Sequence, residues 1–582
     1  MMFDVAIIGG GPSSATCGCF LKKYKPDMKV GIFEREVFPR DHVGESQLPI
    51  IGGILNEIGV WDKIEAADFP VKIGGTYRWG NSDDLWDFHF LPGGEFKEEP
   101  RPAKHQGQRV QTAFQVDRSV YDKILLDHAR EMGCEVHEGT AIREVLRDGD
   151  RVMCLVLADG TKVEARHYID ASGHAGLLRR TMGVEIEEPS TLRNIAIWDY
   201  WQNADWAVKI GVGGTRIQVM SVGYGWLWFI PLSPTRTSLG LVCPADYYKK
   251  SGLTTEELYL KAISEEPRIK ALTQNGTREN ILHTTKDWSF VSERAVGENW
   301  MLIGEAVGFA DPILSAGLSL AHMSAKEAAF TILDIDKGSD EKWLKSQYDE
   351  ANRRKVTQHI RFADYWYTAN AHFSDLKEYT REIARDAGLE LNGDDAFQWL
   401  GTGGFIEQDM RVAGLATLGL SALHQVTLRL SKEPPTTLIN GFNGFVLNLE
   451  GAEKVDVALY DAGAVHRVPA LNREGKHLPL TGQFALIVNI LTASPRADKL
   501  AITIAKHFAQ HGLQYDKNTH WTVVQTLEAL ARDGWITPTH LPEGVPIAMD
   551  FNLPSNFFET NRDVELGPEH VSPSLVAAAE RA

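Results

Sequence analysis

The sequence predicts an α/β protein: a dinucleotide-binding core that carries an antiparallel sheet, followed by a mainly helical extension ending in a winged-helix-like unit. Three observations predict it. The chain opens as strand, glycine loop, helix and strand; two distant apolar strands each run into a small-residue turn; and from about residue 340 the texture becomes helical. In order, residues 3–8 form a short buried strand and Gly9-Gly10-Gly11-Pro12-Ser13-Ser14 a tight loop. Residues 15–23 form a helix and 29–34 a second strand, which completes a βαβ unit. Tyr168-Ile169-Asp170 leads into Ala171-Ser172-Gly173, and residues 300–303 lead into Gly304-Glu305-Ala306. Between these, about 190–245 is rich in Trp, Tyr, Val and Thr, as an antiparallel sheet requires. A helix follows Gly317, from Leu318 to about Leu333. Over 341–430, Phe362, Trp366, Ala369 and Phe373 recur at helical spacing, a stripe expected to be core. Glu433-Pro434-Pro435-Thr436 reads as a linker or sharp turn. Beyond it Val523, Val524, Leu527 and Leu530 share a helical face before an Asp533-Gly534 turn toward a strand. The expected organisation is a core over 1–340 with a substrate sheet inserted over about 185–285, a helical region 341–435, and a C-terminal domain 436–582 whose last residues fray.

Composition narrows the function. With 582 residues, 43% of them apolar and 24% charged, the chain is globular and long enough for several units. Its formal net charge of −18 opposes binding to nucleic acid or an anionic membrane, and acidic residues also outnumber basic ones after 441. Five cysteines make neither a disulfide framework nor a zinc site; Cys17-x-Cys19 has the wrong spacing, and buried free thiols in a reducing compartment are expected. No targeting segment is visible, and no window offers ~18 unbroken apolar residues, so a cytoplasmic protein without a membrane span is expected.

Gly9-x-Gly11-x-x-Ser14 lies between a strand and a helix, the context that gives this pattern meaning. Gly9 permits the turn, Gly11 lets backbone approach a pyrophosphate, and Pro12 and Ser13 open a helix whose free N–H groups favour an anion. Ser14 stands where a third glycine is usual. Glu34, with Arg35 beside it, lies at the end of the second strand, where a carboxylate accepts hydrogen bonds from a ribose. Two later features favour flavin over nicotinamide. Gly304-Glu305-Ala306 follows a strand, and Asp311-Pro312 precedes Ser315-Ala316-Gly317-Leu318 at a helix start. This resembles the second cofactor loop of hydroxylase-type flavin monooxygenases, which share the glutathione-reductase-like fold. They usually carry Gly-Asp where this chain has Gly304-Glu305, a carboxylate one methylene longer. Arg118, in Val116-Asp117-Arg118 with Asp122 following, matches the arginine that superfamily places near its cofactor.

Gly225-Trp226-Leu227-Trp228-Phe229-Ile230-Pro231 carries the Trp-x-Trp-x-Ile-Pro signature, and on it the chain resembles the flavin-dependent halogenases. Phe69-x-x-Lys72-x-Gly74, with Trp79 beyond, resembles the segment that holds this family's catalytic lysine. His42-Val43-Gly44-Glu45-Ser46 resembles its Gly-Glu-Ser motif beside the flavin. The likeness spans about residues 1–335, and all motifs occur in the expected order.

The resemblance implies an enzyme that uses FAD as FADH2, with O2 and chloride or bromide. A flavin hydroperoxide would be attacked by halide held at Ser315, Ala316 and Gly317, giving hypohalous acid that Lys72 receives, while Trp226 and Trp228 wall the organic substrate away. Chemically, amides at a helix start suit a halide, and a desolvated lysine has an available amine. With a single glycine-rich loop in the chain, reduced FAD is expected from a separate flavin reductase. The substrate is expected to be a small aromatic or activated molecule of phenol or pyrrole type in secondary-metabolite, including antibiotic, biosynthesis, free or tethered to an acyl or peptidyl carrier protein. Free tryptophan is not expected: in halogenases acting on it a glutamate precedes the serine corresponding to Ser315, and here that residue is Leu314. The alternatives are an FAD-dependent aromatic hydroxylase or lipid reductase on the same fold, and a flavin-fold binding module without chemistry.

Overall fold

The computed structural model describes residues 1–80, 84–91, 96–97, 99–207, 214–386, 437–510, 517–547 and 558–560. These fall into two compact units, one within Met1–Gly388 with short later pieces in 462–465 and 557–582, the other within 389–461 and 466–556.

The first unit is built on two sheets. Five parallel strands stand in the order Glu135–His137, Val30–Phe33, Met2–Ile8, Lys162–Asp170, Trp300–Leu302. The inner strands are buried runs without polar alternation, as a parallel sheet covered on both faces requires. Lys162–Asp170 also continues into an antiparallel meander with Arg151–Leu157 and Ile142–Asp148. Helix Pro12–Tyr24 covers this sheet together with Gly317–Asp336 and Arg118–Glu131. The α/β opening and both small-residue turns lie where the sequence placed them.

The second sheet is mainly antiparallel. Its strands run Thr277–Arg278, Arg193–Gln202, Arg236–Pro244, Gly225–Pro231, Gly214–Val222, Val71–Arg78, Trp86–His89 and Phe558–Thr560; only Gly214–Val222 pairs with Val71–Arg78 in parallel. The sequence expectation covered the 190–245 strands but gave no strand to 71–78 or 86–89, which join the sheet from far upstream. Helix Glu341–Thr368 also lies within the first unit rather than forming a region of its own. Phe362, Trp366 and Phe373 are buried as expected, although the helix ends at Thr368 and Phe373 lies beyond it. The rest of the helical expectation over 387–430, and the 433–436 linker, lie outside the described residues, as does the fraying tail.

The second unit pairs Gly444–Leu447 with Ile536–Thr539, and adds the hairpin strands Ala464–Arg473 and Lys476–Pro479. Helices Gly482–Ala493, Ala497–Gln510 and Lys517–Arg532 surround a core that includes Val523, Val524, Leu527, Leu530 and Trp535. Gly534, at φ +73°, turns the last helix into its strand. All five cysteines are free and buried. No helix among the described residues is long and apolar enough to cross a membrane.

Close packing in the second sheet makes one position sensitive. Gly240 is the cross-strand partner of Trp228, and a Cβ on Gly240 would lie 2.1 Å from the indole. Gly240→Ala is expected to destabilise the first unit by about 1–3 kcal/mol through overpacking, read as a lower unfolding midpoint followed by tryptophan fluorescence.

Candidate active site

One cavity of about 440 Å³ gathers nearly all the residues singled out from the sequence. The glycine loop forms one wall with Gly9, Gly11, Pro12 and Ser13. Gly9 has φ +99°, and a Cβ there would lie 2.5 Å from the Ala171 carbonyl oxygen, so the turn requires glycine. Helix Pro12–Tyr24 begins at Gly11 with no side chain capping it, which leaves its first N–H groups facing the cavity. Ser14 is buried below the wall, in packing, and its hydroxyl has no partner among the described residues. Glu34 accepts the Gly10 N–H at 2.6 Å through one oxygen and the Glu36 N–H at 2.8 Å through the other. Its carboxylate therefore clamps the loop as well as lining the cavity; Arg35 lines it from an exposed position.

Gly44, Glu45, Ser46 and Arg118 form a second wall. Arg118 begins its helix behind the cap Asp117; it pairs with Asp122 at 2.7 and 2.9 Å and donates to the carbonyls of Val43 and Gly44 at 2.9 and 3.2 Å. The guanidinium thus fixes the Gly-Glu-Ser turn. Glu45 is buried, and that burial raises its carboxyl to about 7, although the Tyr200 hydroxyl donates to it at 3.0 Å. The Ser238 hydroxyl also opposes the rise.

A third wall comes from late in the chain: Glu305, Asp311, Ser315, Ala316, Gly317 and Leu318. Burial raises the carboxyl of Glu305, and Arg118 opposes that rise. Asp311 caps the turn Pro312–Leu314 by accepting the Ile313 N–H at 2.9 Å, and burial raises it to about 7. Ser315 follows at φ +55°, an unusual conformation for a non-glycine residue. Helix Gly317–Asp336 then starts at Ala316, again without a side-chain cap. A Cβ on Gly317 would meet nothing within 4 Å. The Leu314 side chain lies outside the described residues.

Trp226 and Trp228 line the same cavity from the second sheet, with ring centroids 6.1 Å apart. Trp228 Nε1 donates to Ser238 Oγ at 3.0 Å and Trp226 Nε1 to the Tyr367 hydroxyl at 2.7 Å. Lys72 is the one expected catalytic group set back from the wall. It is fully buried, donates to the Gln47 carbonyl at 2.9 Å and to Ser315 Oγ at 3.4 Å, and has its ammonium 5.3 Å from the Phe90 ring centroid. Burial lowers its pKa to about 7, with no carboxylate paired to it among the described residues. A bulge aims it there. Lys72 pairs with Thr215 but Gly74 with Arg216, so Ile73 is one residue too many for the ladder. Gly74, at φ +153° with the Phe88 carbonyl 1.9 Å from any Cβ, accommodates the bulge. Lys72 consequently shares the face of Ile217 and Trp228, while Thr76, Asp87, His89 and Arg216 bond to one another on the reverse face.

Several residues of the site were not read from the sequence. Arg40 lines the cavity beside Gly11, with its Nη1 3.4 Å from Asp122 Oδ2 in an ion pair. Asn194 donates to Asp311 at 3.3 Å and to the Tyr367 hydroxyl at 3.1 Å, joining the late loop to the tryptophan pair. No local pattern marks these two.

The residues present fit a flavin dinucleotide. An uncapped helix start and the Arg40 guanidinium, whose Nη2 would lie 3.8 Å from a Cβ on Gly11, together suit a pyrophosphate, and the uncapped start at Ala316 suits a second, smaller anion. No cluster of metal-ligating side chains occurs among the described residues. The fold and site define a flavin-dependent oxidoreductase of monooxygenase architecture. The profile of the tryptophan halogenase family matches residues 4–99 and 91–376, and the chain belongs to that family. It is a flavin-dependent halogenase, with FAD, halide and O2 as its working set.

The chain is 32% identical over 386 residues to a 1H-pyrrole-2-carbonyl-(peptidyl-carrier protein) chlorinase of Pseudomonas fluorescens, covering 64% of this chain and 85% of that one. It is 30% identical over 342 residues to the corresponding brominase of Pseudoalteromonas luteoviolacea, covering 58% and 79%. Among solved structures, the flavin-dependent halogenase CmlS superposes with a TM-score of 0.71 at 25% identity, over 95% of this chain and 99% of that one. The myxobacterial chondrochloren halogenase CndH gives 0.57 at 28%, over 67% and 91%.

Burial of Lys72 has a pH signature. Its folded-state value lies below the 10.5 of an exposed lysine, so between about pH 7 and 10.5 the unfolded chain holds the extra proton. The cost of burying Lys72 is therefore full below pH 7 and fades as pH rises through that window. Lys72→Met is expected to raise stability at about pH 6, on the order of 2–4 kcal/mol, with the gain vanishing near pH 10 in paired denaturant titrations.

Proposed function

We propose that this halogenase transfers oxidised chloride or bromide through Lys72 to an electron-rich phenol or pyrrole, or to another activated carbon acid. The substrate is carried on an acyl or peptidyl carrier protein, and reduced FAD comes from a separate flavin reductase. One observation carries the catalytic assignment: Lys72, buried and without a carboxylate among the described residues, reaches Ser315 at the very loop that starts the halide helix.

The roles follow from position. Gly9, Gly11, Pro12, Ser13 and the uncapped helix start hold the pyrophosphate, with Arg40 adding charge and Glu34 and Arg35 facing the ribose. Gly44, Glu45, Ser46, Arg118, Glu305 and Asp311 frame the remainder of the cofactor, and Leu318 packs beside it. When bound, reduced FAD would supply the two electrons that bring O2 to the peroxide level, the oxidant to which the halide gives up its own electron pair. The amides of Ala316 and Gly317, with Ser315, hold the halide, because a helix start offers donors without a competing proton. Trp226 and Trp228 occupy the cavity wall and keep an organic substrate from reaching the flavin. Lys72, lowered to about 7 by burial, presents its amine to the hypohalous acid: either an N–halogen bond forms as the halogen–oxygen bond breaks and water leaves, and the haloamine passes the halogen on, or the side chain holds the acid by a hydrogen bond. Leu314, next to Ser315, has no group to accept a proton or balance a cationic ring, which disfavours free indole; a single well-placed electrostatic group is typically worth about 3–4 kcal/mol in a transition state. Phenols and pyrroles activate themselves. The carrier-bound pyrroles named for the two relatives above support the tethered form. Five free, buried cysteines agree with a reducing, cytoplasmic setting.

Lys72→Ala is expected to abolish halogenated product, by about 100-fold or more, while FAD binding and hypohalous acid formation persist. Bromide turnover followed by mass spectrometry, with monochlorodimedone trapping the free oxidant, checks this; unchanged product or lost flavin would reassign Lys72. Offered a panel with reductase and NADH, the protein is expected to prefer phenolic or carrier-bound pyrrolic substrates to free tryptophan, and to oxidise no NAD(P)H by itself. Equal turnover of tryptophan, or rapid flavin reduction by NADPH alone, would count against the reading.

A further inference from the structure

His322 is buried in the middle of the first unit and plays no part in the roles assigned above. It stands on helix Gly317–Asp336, about one turn below the helix start. Its Nδ1 lies 2.8 Å from Thr16 Oγ1, and Thr16 stands one turn below the start of helix Pro12–Tyr24. Its Nε2 lies 2.8 Å from the Tyr121 hydroxyl, in the first turn of the helix that Arg118 begins. All three side chains are fully buried. One imidazole therefore ties together three helices whose first residues meet on the same cavity.

The chemistry makes this tie directional. Burial, assisted by Arg118, lowers His322 to about 3 and keeps the ring neutral, so it has one N–H to give and one lone pair to receive. One hydroxyl must donate and the other accept. Replacing the ring by an apolar one takes the imidazole bond from two buried hydroxyls and leaves Tyr121 only its bond with the Gln47 side chain, whereas packing alone would be served as well by phenylalanine. The same helix makes a second link: Ser324 Oγ accepts the Gly304 N–H at 2.8 Å, at the turn that presents Glu305 to the cavity. Resting on the halogenase reading, we propose that His322 is a positioning residue that fixes the start of the halide-holding helix against the start of the pyrophosphate-holding helix, so that halide and flavin meet at a set spacing.

The test uses the full chain as His322→Phe and His322→Gln, the amide of glutamine being able to donate and accept as the imidazole does. Three quantities are measured: the FAD dissociation constant by flavin fluorescence, bromide KM and kcat with reductase-supplied flavin, and, without flavin, hydrogen exchange of the amides in 320–324, the first helical turn whose N–H groups are bonded, Leu320 donating to the Ala316 carbonyl. For His322→Phe the expectation is a bromide KM raised about 5–10-fold, FAD affinity within about twofold, and faster exchange at 320–324. His322→Gln should recover most of both effects. A bromide KM within twofold of the parent, or proportional loss of flavin affinity, kcat and KM with no recovery by glutamine, would overturn the proposal. Should His322→Phe not fold, Thr16→Val, which removes one of the two bonds, decides on the same three readouts. A parent protein that makes no brominated product sinks the halogenase reading instead, and exchange and flavin affinity then still judge whether His322 sets the spacing.

Discussion

Two long helices, Pro12–Tyr24 and Gly317–Asp336, begin on the wall of one cavity, and no side chain caps either start. Helix starts carry backbone N–H groups that must find acceptors, and here no side chain among the described residues caps them. Much of the first unit serves to keep those amides free and correctly placed. Glu34 holds the glycine loop back by bonding Gly10, and Gly9 lets the loop turn against the Ala171 carbonyl. Asp311 spends its carboxylate on the preceding short turn, so the following helix is left open at Ala316. The positive φ of Ser315 separates the two.

The same wall shows how burial is used in two opposite ways. Burial makes the Lys72 amine a weaker base and Glu45 and Asp311 weaker acids, so each is drawn toward its neutral form. Arg118 escapes this pull because Asp122 answers it directly, and it remains the fixed cation around which the Gly-Glu-Ser turn is arranged.

What the sequence revealed was local. The glycine loop, the carboxylate at the end of the second strand and the Asp-Pro turn before a small-residue helix start are each written in a few consecutive residues. Arg40, Asn194 and Tyr367 carry no such signature: Asn194 reaches Asp311 across 117 positions, and Tyr367 reaches Trp226 across 141. Their partners are chosen by the fold, which no window of one strand contains. Lys72 falls between these cases. The motif around it pointed to the residue, but its strand, its burial and its second-sheet partners come from the pairing of 71–78 with a strand far along the chain, Thr215 standing opposite Lys72. The second unit was legible as a helix, glycine turn and strand, because Val523, Val524, Leu527 and Leu530 repeat with helical period and Gly534 follows.

The extra residue at Ile73 makes the lysine's face a matter of parity. Counted back along a regular strand from Thr76, Lys72 would fall on the side of Asp87, His89 and Arg216, beside a buried carboxylate that would pair with its ammonium. The inserted position reverses the count, and only glycine tolerates the conformation that pays for it at Gly74. Side-chain identity at 72 is thus necessary but not sufficient. A chain with the same lysine and a straight strand would present the right amine to the wrong half of the molecule, so the number of residues between Lys72 and Thr76 is as much a part of the reactive group as the ammonium itself.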